Sequence, residues 1–183
     1  LDVPLVYTHL QPRQVTGFAK SETWDNPVMA MLFDLWGAIP IKRGEADVEA
    51  LKRGLDALEE GKIVVIAPEG TRSWDGKLQQ ALAGVVVMGL RSGVPLLPLV
   101  YYGGEQLKEN LRHLRRTDFY ISVGRPFHLE PGDVKVDRQV RKFMLDEVMH
   151  QLADLMPVQY RGVYADQPKT AQTFLRFCDS TQE

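Results

Sequence analysis

Residues 62–67, Lys-Ile-Val-Val-Ile-Ala, form an unbroken apolar, β-branched run that stops at Pro68, Glu69 and Gly70. A strand apolar on both faces must be covered on both, so this run predicts a sheet layered with helices rather than a one-sided antiparallel meander. Four other runs have strand character: QVTGFAK (14–20), AIPIK (38–42), VPLLPLVYY (94–102) and DFYISV (118–123). Helical patterns separate them. Asn26 before Pro27 predicts an N-cap with proline at the first helical position, opening a helix that ends before Gly37. From Asp47 onward, Val48, Leu51, Leu55 and Leu58 recur on one face, and Gly61 stands where a left-handed cap belongs. A third helix over Leu82 to Arg91 closes on Gly93. A longer amphipathic helix starts at Asp137, carries Val140, Met144, Val148, Leu152 and Leu155 on one side, and stops at Pro157. The expected class is α/β, with a mostly parallel or mixed central sheet covered by helices.

Composition narrows the function classes. With 183 residues, 44% of them hydrophobic and 25% charged, the chain is expected to form one domain over 1–183, with a polar tail from about residue 158. A net charge of −2 gives no general basis for binding nucleic acid, which needs a surplus of Lys and Arg. The one cysteine, Cys178, rules out an internal disulfide and a multi-cysteine metal site. No run approaches the roughly 18 apolar residues of a membrane span, and no signal sequence opens the chain. The start at Leu-Asp-Val-Pro, without an initiator Met, is read as the middle of an element, and an N-terminal part is expected to be missing.

Chemistry is expected where the strand at 62–67 meets its loop, because ligand sites in α/β sheets lie at the carboxyl ends of strands. Gly70 allows close backbone approach, its neighbours offer N–H groups, and Arg72 presents a planar fork suited to phosphate oxygens. This pattern fits an anion cradle, and it equally fits a surface turn with a solvated arginine. Lys20, Lys42 and Arg43 follow two other strand runs, and parallel strands would bring such cations to one edge.

Three blocks in this order carry a family resemblance: GAIPIKR (37–43), PEGTRS (68–73) and VPLLPLV (94–100). With them the chain resembles the 1-acylglycerol-3-phosphate (lysophosphatidate) acyltransferases over about residues 1–130. The resemblance implies a glycerolphosphate-acyltransferase-like fold. It implies transfer of a fatty acyl group from acyl-CoA or acyl-carrier protein to the free hydroxyl of lysophosphatidate, giving phosphatidate for phospholipid synthesis. It places acceptor-phosphate binding on Gly70, Arg72, Lys20 and Arg43, and structural roles in the site on Glu69, Thr71, Ser73, Pro95 and Pro98. The family's first block, a histidine five residues before an aspartate, is not complete here: Asp2 matches the aspartate and would orient a histidine upstream of Leu1. His113 with Asp118 and His128 with Asp133 mimic that spacing but follow PEGTRS, so surface or loop roles are expected of them. His9 and His150 lack such a partner, and His150 is expected to be partly exposed.

Acyl transfer from a thioester to an alcohol needs a base and an oxyanion-stabilising dipole, so neither a metal nor another cofactor is expected beyond the thioester co-substrate. The lipid acceptor implies contact with a membrane surface, and the expected location is the cytoplasmic face of the cell membrane, peripheral or anchored N-terminally. KENLRHLRR, with Lys108, Arg112, Arg115 and Arg116, is either a solvated helix face or an attraction for anionic lipid. Two other functions stay open: the same chemistry on glycerol 3-phosphate, another lysophospholipid or an aminolipid, and a non-catalytic module that binds lipid phosphate.

Overall fold

The computed structural model describes residues 10, 12–42, 47–71, 73, 75–104, 107–167 and 172–179. Strands and helices mix as the sequence predicts, and the chain divides into two compact units, Leu1–Ala67 and Pro68–Glu183.

In the first unit, β1 (Val15–Lys20) lies between β2 (Ile39–Ile41) and β3 (Ile63–Val65), all parallel. The register pairs Lys20 with Ile41 and Val15 with Ile63. Helix α1 (Pro27–Leu35) follows a 3-10 turn at Ser21–Asp25. The Asn26 side chain caps it as expected, accepting the N–H groups of Val28 and Met29 at 3.0 and 3.2 Å. Helix α2 (Val48–Glu59) is capped by Asp47, and Gly61 beyond its end takes φ +79°.

The inner line of α2 differs from the expected one. Val48 is exposed, Leu51, Leu55 and Leu58 are half-buried, and Ala50, Gly54 and Ala57 are buried. Small side chains let the helix backbone come close to the strands, so the leucines flank the contact instead of forming it. The run at 62–67 is also less enclosed than its composition suggested, since all three residues of β3 are half-buried.

The second unit packs α3 (Gly84–Ser92) and α5 (Arg138–Asp154) with β6 (Phe127–Leu129) around Val86, Met88, Phe127, Met144 and Met149, all buried. Gly89 of α3 allows this closeness: a Cβ there would lie 3.1 Å from the Leu129 side chain. The VPLLPLVYY run divides. Leu96 exchanges backbone hydrogen bonds with Phe127 at 2.7 and 3.0 Å, Pro98 offers no N–H, and β4 (Leu99–Tyr102) then pairs antiparallel with β5 (Tyr120–Val123). Along β4, Val100 is buried and Tyr101 exposed, so this strand is covered on one face only.

Helix α4 (Leu107–Arg112) joins β4 to β5. The expected polar tail carries more structure than its composition announced, with 3-10 turns at Val158–Tyr160 and Gly162–Tyr164 and a strand, β7 (Leu175–Phe177), antiparallel to β6. Glu147 of α5 is buried, and its two carboxylate oxygens accept the N–H groups of Thr173 and Phe174 at 2.9 and 3.0 Å, holding the approach to β7.

Candidate functional site

In the first unit, three parallel strands present their carboxyl ends at one edge of the sheet. Lys20 ends β1 and is exposed, and Lys42 follows β2, which lies beside it. Arg43 lies outside the described residues, so its place at this edge is an expectation from the sequence. Near Lys42 is a cleft of about 270 Å³, lined by Ser21, Lys42, Asp47, Glu49 and Arg53 among others. Asp47 spends its charge on the backbone: its two oxygens accept the N–H groups of Lys42 and Ala50, each at 2.9 Å. Those bonds, the one from Lys42 first, hold its carboxyl below the usual aspartate range. The sequence reading missed Arg53, because an arginine on the polar face of an amphipathic helix carries no local signal.

The PEGTRS loop belongs to the second unit, where its backbone is closely held. Pro68 accepts the N–H of Leu82 at 2.8 Å, closing residues 68–82 into one loop. The helix predicted from Leu82 accordingly starts at Gly84. Gly70 has φ +65°, a left-handed conformation that L side chains rarely adopt, and a Cβ there would lie 2.7 Å from the Leu82 side chain. Glu69 accepts the N–H of Gln79 at 2.9 Å, within its own loop. Burial raises its pKa and the negative charge of Asp75 raises it further, while the bond from Gln79 opposes both. The Ser73 hydroxyl donates to Asp75 at 2.8 Å and Lys77 N–H reaches the same oxygen at 3.2 Å, with the hydroxyl leading the fall of the Asp75 pKa. Thr71 is exposed, and Arg72 lies outside the described residues.

A strap that sequence reasoning missed secures this loop. Leu78 N–H donates to Tyr160 O at 2.9 Å and Val163 N–H to Leu78 O at 3.2 Å. The Tyr164 hydroxyl accepts the N–H of Ala81 at 3.4 Å. Gly162, with φ +52°, comes so close that a Cβ on it would run into the Leu78 backbone. Tyr164 has a raised pKa, chiefly from burial, with the Asp146 and Glu69 charges adding and the bond from Ala81 opposing. The signal was the aromatic-glycine spacing of Tyr160, Gly162 and Tyr164, which read as tail because the surrounding residues are polar.

The remaining candidates sit apart from this loop in their bonding. Pro98 is buried, its carbonyl accepting Gly124 N–H at 2.8 Å, whereas Pro95 is exposed. His113 is exposed, with Nε2 2.8 Å from Glu109 rather than engaged with Asp118. His128 places Nδ1 2.9 Å from the Gly93 carbonyl rather than on Asp133. His150, expected to be partly exposed, is buried against the Tyr164 ring, because α5 is enclosed on nearly every side along this stretch. Asp2 and His9 lie outside the described residues. Among the described residues, no group of three or more His, Cys, Asp or Glu could hold a metal ion, and no helix is long and apolar enough to cross a membrane.

Comparison with known proteins adds the family. A family model described as "Acyltransferase" matches residues 1–102. A chloroplastic 1-acyl-sn-glycerol-3-phosphate acyltransferase, BAT2, from Brassica napus is 28% identical over 142 residues, covering 75% of this chain and 41% of that protein. A 1-acyl-sn-glycerol-3-phosphate acyltransferase from Bacillus subtilis is 29% identical over 129 residues, covering 70% of this chain and 62% of that one. The chain therefore spans less than two thirds of either relative. The crystal structure of the 1-acyl-sn-glycerophosphate acyltransferase PlsC from Thermotoga maritima shares the fold, with a TM-score of 0.57 at 23% identity over 84% of this chain and 61% of that one.

Proposed function

This chain belongs to the acyltransferase family, and from that premise we propose that it moves a fatty acyl group from a thioester to the free hydroxyl of lysophosphatidate, giving phosphatidate. The observation that carries the proposal is the PEGTRS loop, in which a left-handed Gly70 in a braced backbone is followed in the sequence by Arg72, in a chain whose relatives bear the name of that reaction. Such a loop suits a phosphate because fixed N–H groups and a guanidinium bind anion oxygens without reorganising. Gly70 and Arg72 take the acceptor phosphate in this reading. Glu69 takes a structural part in this reading, its carboxylate accepting the Gln79 N–H within the loop.

The base in this scheme is a histidine upstream of Leu1, oriented by Asp2. It removes the hydroxyl proton as the oxygen attacks the thioester carbonyl, and the thiol leaves with a proton as the ester forms. No covalent enzyme intermediate and no metal enter. The donor is acyl-CoA or acyl-carrier protein, and the site of action is the cytoplasmic face of the cell membrane.

The test is thioester consumption with lysophosphatidate, run on this chain and on a form extended upstream through the expected histidine, with products read by lipid analysis. Phosphatidate from the extended form alone supports the proposal. Acylation of glycerol 3-phosphate or another lysolipid instead would reassign the acceptor, and binding of lysophosphatidate without turnover in either form would favour a lipid-phosphate module. In the active form, Arg72→Ala should raise the acceptor KM and lower kcat/KM by roughly 2–3 kcal/mol, the range of a charge-assisted contact. An unchanged acceptor KM would remove Arg72 from the phosphate site.

A further inference from the structure

Leu114 is the one non-glycine residue with positive φ among the described residues, at +51°. It follows α4 at a position that glycine usually fills. Leu114 N–H donates to Leu111 O at 3.2 Å and Arg115 N–H to Asn110 O at 2.7 Å, the double bond pattern of a left-handed helix cap. The Asn110 side chain donates to Thr117 at 3.0 Å and ties the loop shut. The cap is therefore well built, yet its central residue is one that the conformation penalises.

Packing does not explain the choice. Leu114 is 92% exposed and Leu111 68% exposed, so neither side chain has a core to join. Cations surround them: Arg112, Arg115 and Arg116 are exposed. Arg116 lies 3.9 Å from Asp118, whereas Arg112 and Arg115 have no ion pair among the described residues. Backbone strain, apolar exposure and unpaired positive charge thus meet on one exposed loop.

We propose that this loop, Leu111 to Arg116, seats the protein on an anionic lipid surface, with Leu114 and Leu111 entering the interface and the arginines meeting phosphate headgroups. The charges select the occupant, since arginines beside leucines complement a layer that is anionic above and apolar below. A protein partner would need a patch of roughly 800 Å² per side, whereas two exposed leucines enter a fluid interface without a matching pocket. The lipid as a destination rests on the acyltransferase reading, because acceptor and product are both lipids.

Co-sedimentation with phosphatidylcholine vesicles, and with equal parts phosphatidylcholine and phosphatidylglycerol, tests the seat without substrate. The chain is expected to bind the anionic vesicles alone and to be released by salt. Arg112→Gln combined with Arg115→Gln should weaken partitioning about thirty-fold, as two interfacial charges are lost. Leu114→Asn should weaken it about ten-fold while melting at the parent temperature or above, because asparagine tolerates the left-handed conformation. Equal binding to neutral vesicles, parent-like binding of either variant, or salt-sensitive binding of acyl-carrier protein in place of vesicles would overturn the seat. If vesicle binding holds while detergent-dispersed lysophosphatidate is not acylated by the upstream-extended form, the functional reading fails and the seat stands. Acylation in detergent without vesicle binding is the reverse outcome.

Discussion

Glu69 and Gly70 are neighbours in sequence, and different physics governs each. For Glu69, burial raises the folded pKa above the ordinary glutamate value, so the folded state holds the proton more tightly than the unfolded chain does. Its contribution to stability is full below the ordinary value and is lost as pH rises through the higher folded one. Glu69→Gln keeps an oxygen for the Gln79 N–H and removes the charge. The variant should therefore gain thermal stability relative to the parent as pH moves from acid to neutral, and melting curves across that range would show a gap that widens with pH. A gap independent of pH would mean that the carboxylate is not desolvated. For Gly70, the Leu82 contact is with a side-chain tip that can move, so the left-handed backbone dominates. Gly70→Ala should cost about 1 kcal/mol in a urea titration, and no loss would contradict the left-handed geometry.

Among the elements, those with their own punctuation were legible. Asn26 with Pro27, and Asp47 with Gly61, announce helix ends through side-chain bonds and left-handed glycines that act within a few residues. What was hidden depends on distant partners. The strap at Tyr160–Tyr164 gains its meaning from Leu78 and Ala81, far away in sequence, and β7 gains its own from β6. Gly162→Ala tests the strap: a left-handed alanine whose Cβ meets the Leu78 backbone should cost about 2–4 kcal/mol and speed hydrogen exchange at Leu78 and Val163. Parent-like protection at those amides would count against the strap. Glu147→Gln tests the hold on β7, since an amide offers one acceptor oxygen where the carboxylate offers two. A loss of about 1–3 kcal/mol is expected, with faster exchange at Thr173 or Phe174. Equal stability would place the bonds elsewhere.

For the whole molecule, the α/β class and the family were readable because strand runs and ordered motif blocks are local patterns. The division of the strands into a parallel trio and two antiparallel pairs was not, since register and direction depend on which backbones meet. The candidate site was legible as residue types, as with Gly70 and Lys20, while its bracing by the 160–164 segment was not. Pairing across long separations also sets an order in time. Every described strand of the first unit has been made once Val65 is added, whereas β6, which meets Leu96 at Phe127, must wait for Leu175 to Phe177 before it gains its second antiparallel neighbour. At about 5–20 residues per second, synthesis from Leu129, the end of β6, to Phe177 takes roughly 2–10 s. During that interval the edge of β6 that will face β7 is open, and once Glu147 is made its carboxylate waits for the two amides it will hold, which is when a ribosome-associated chaperone would have most to cover.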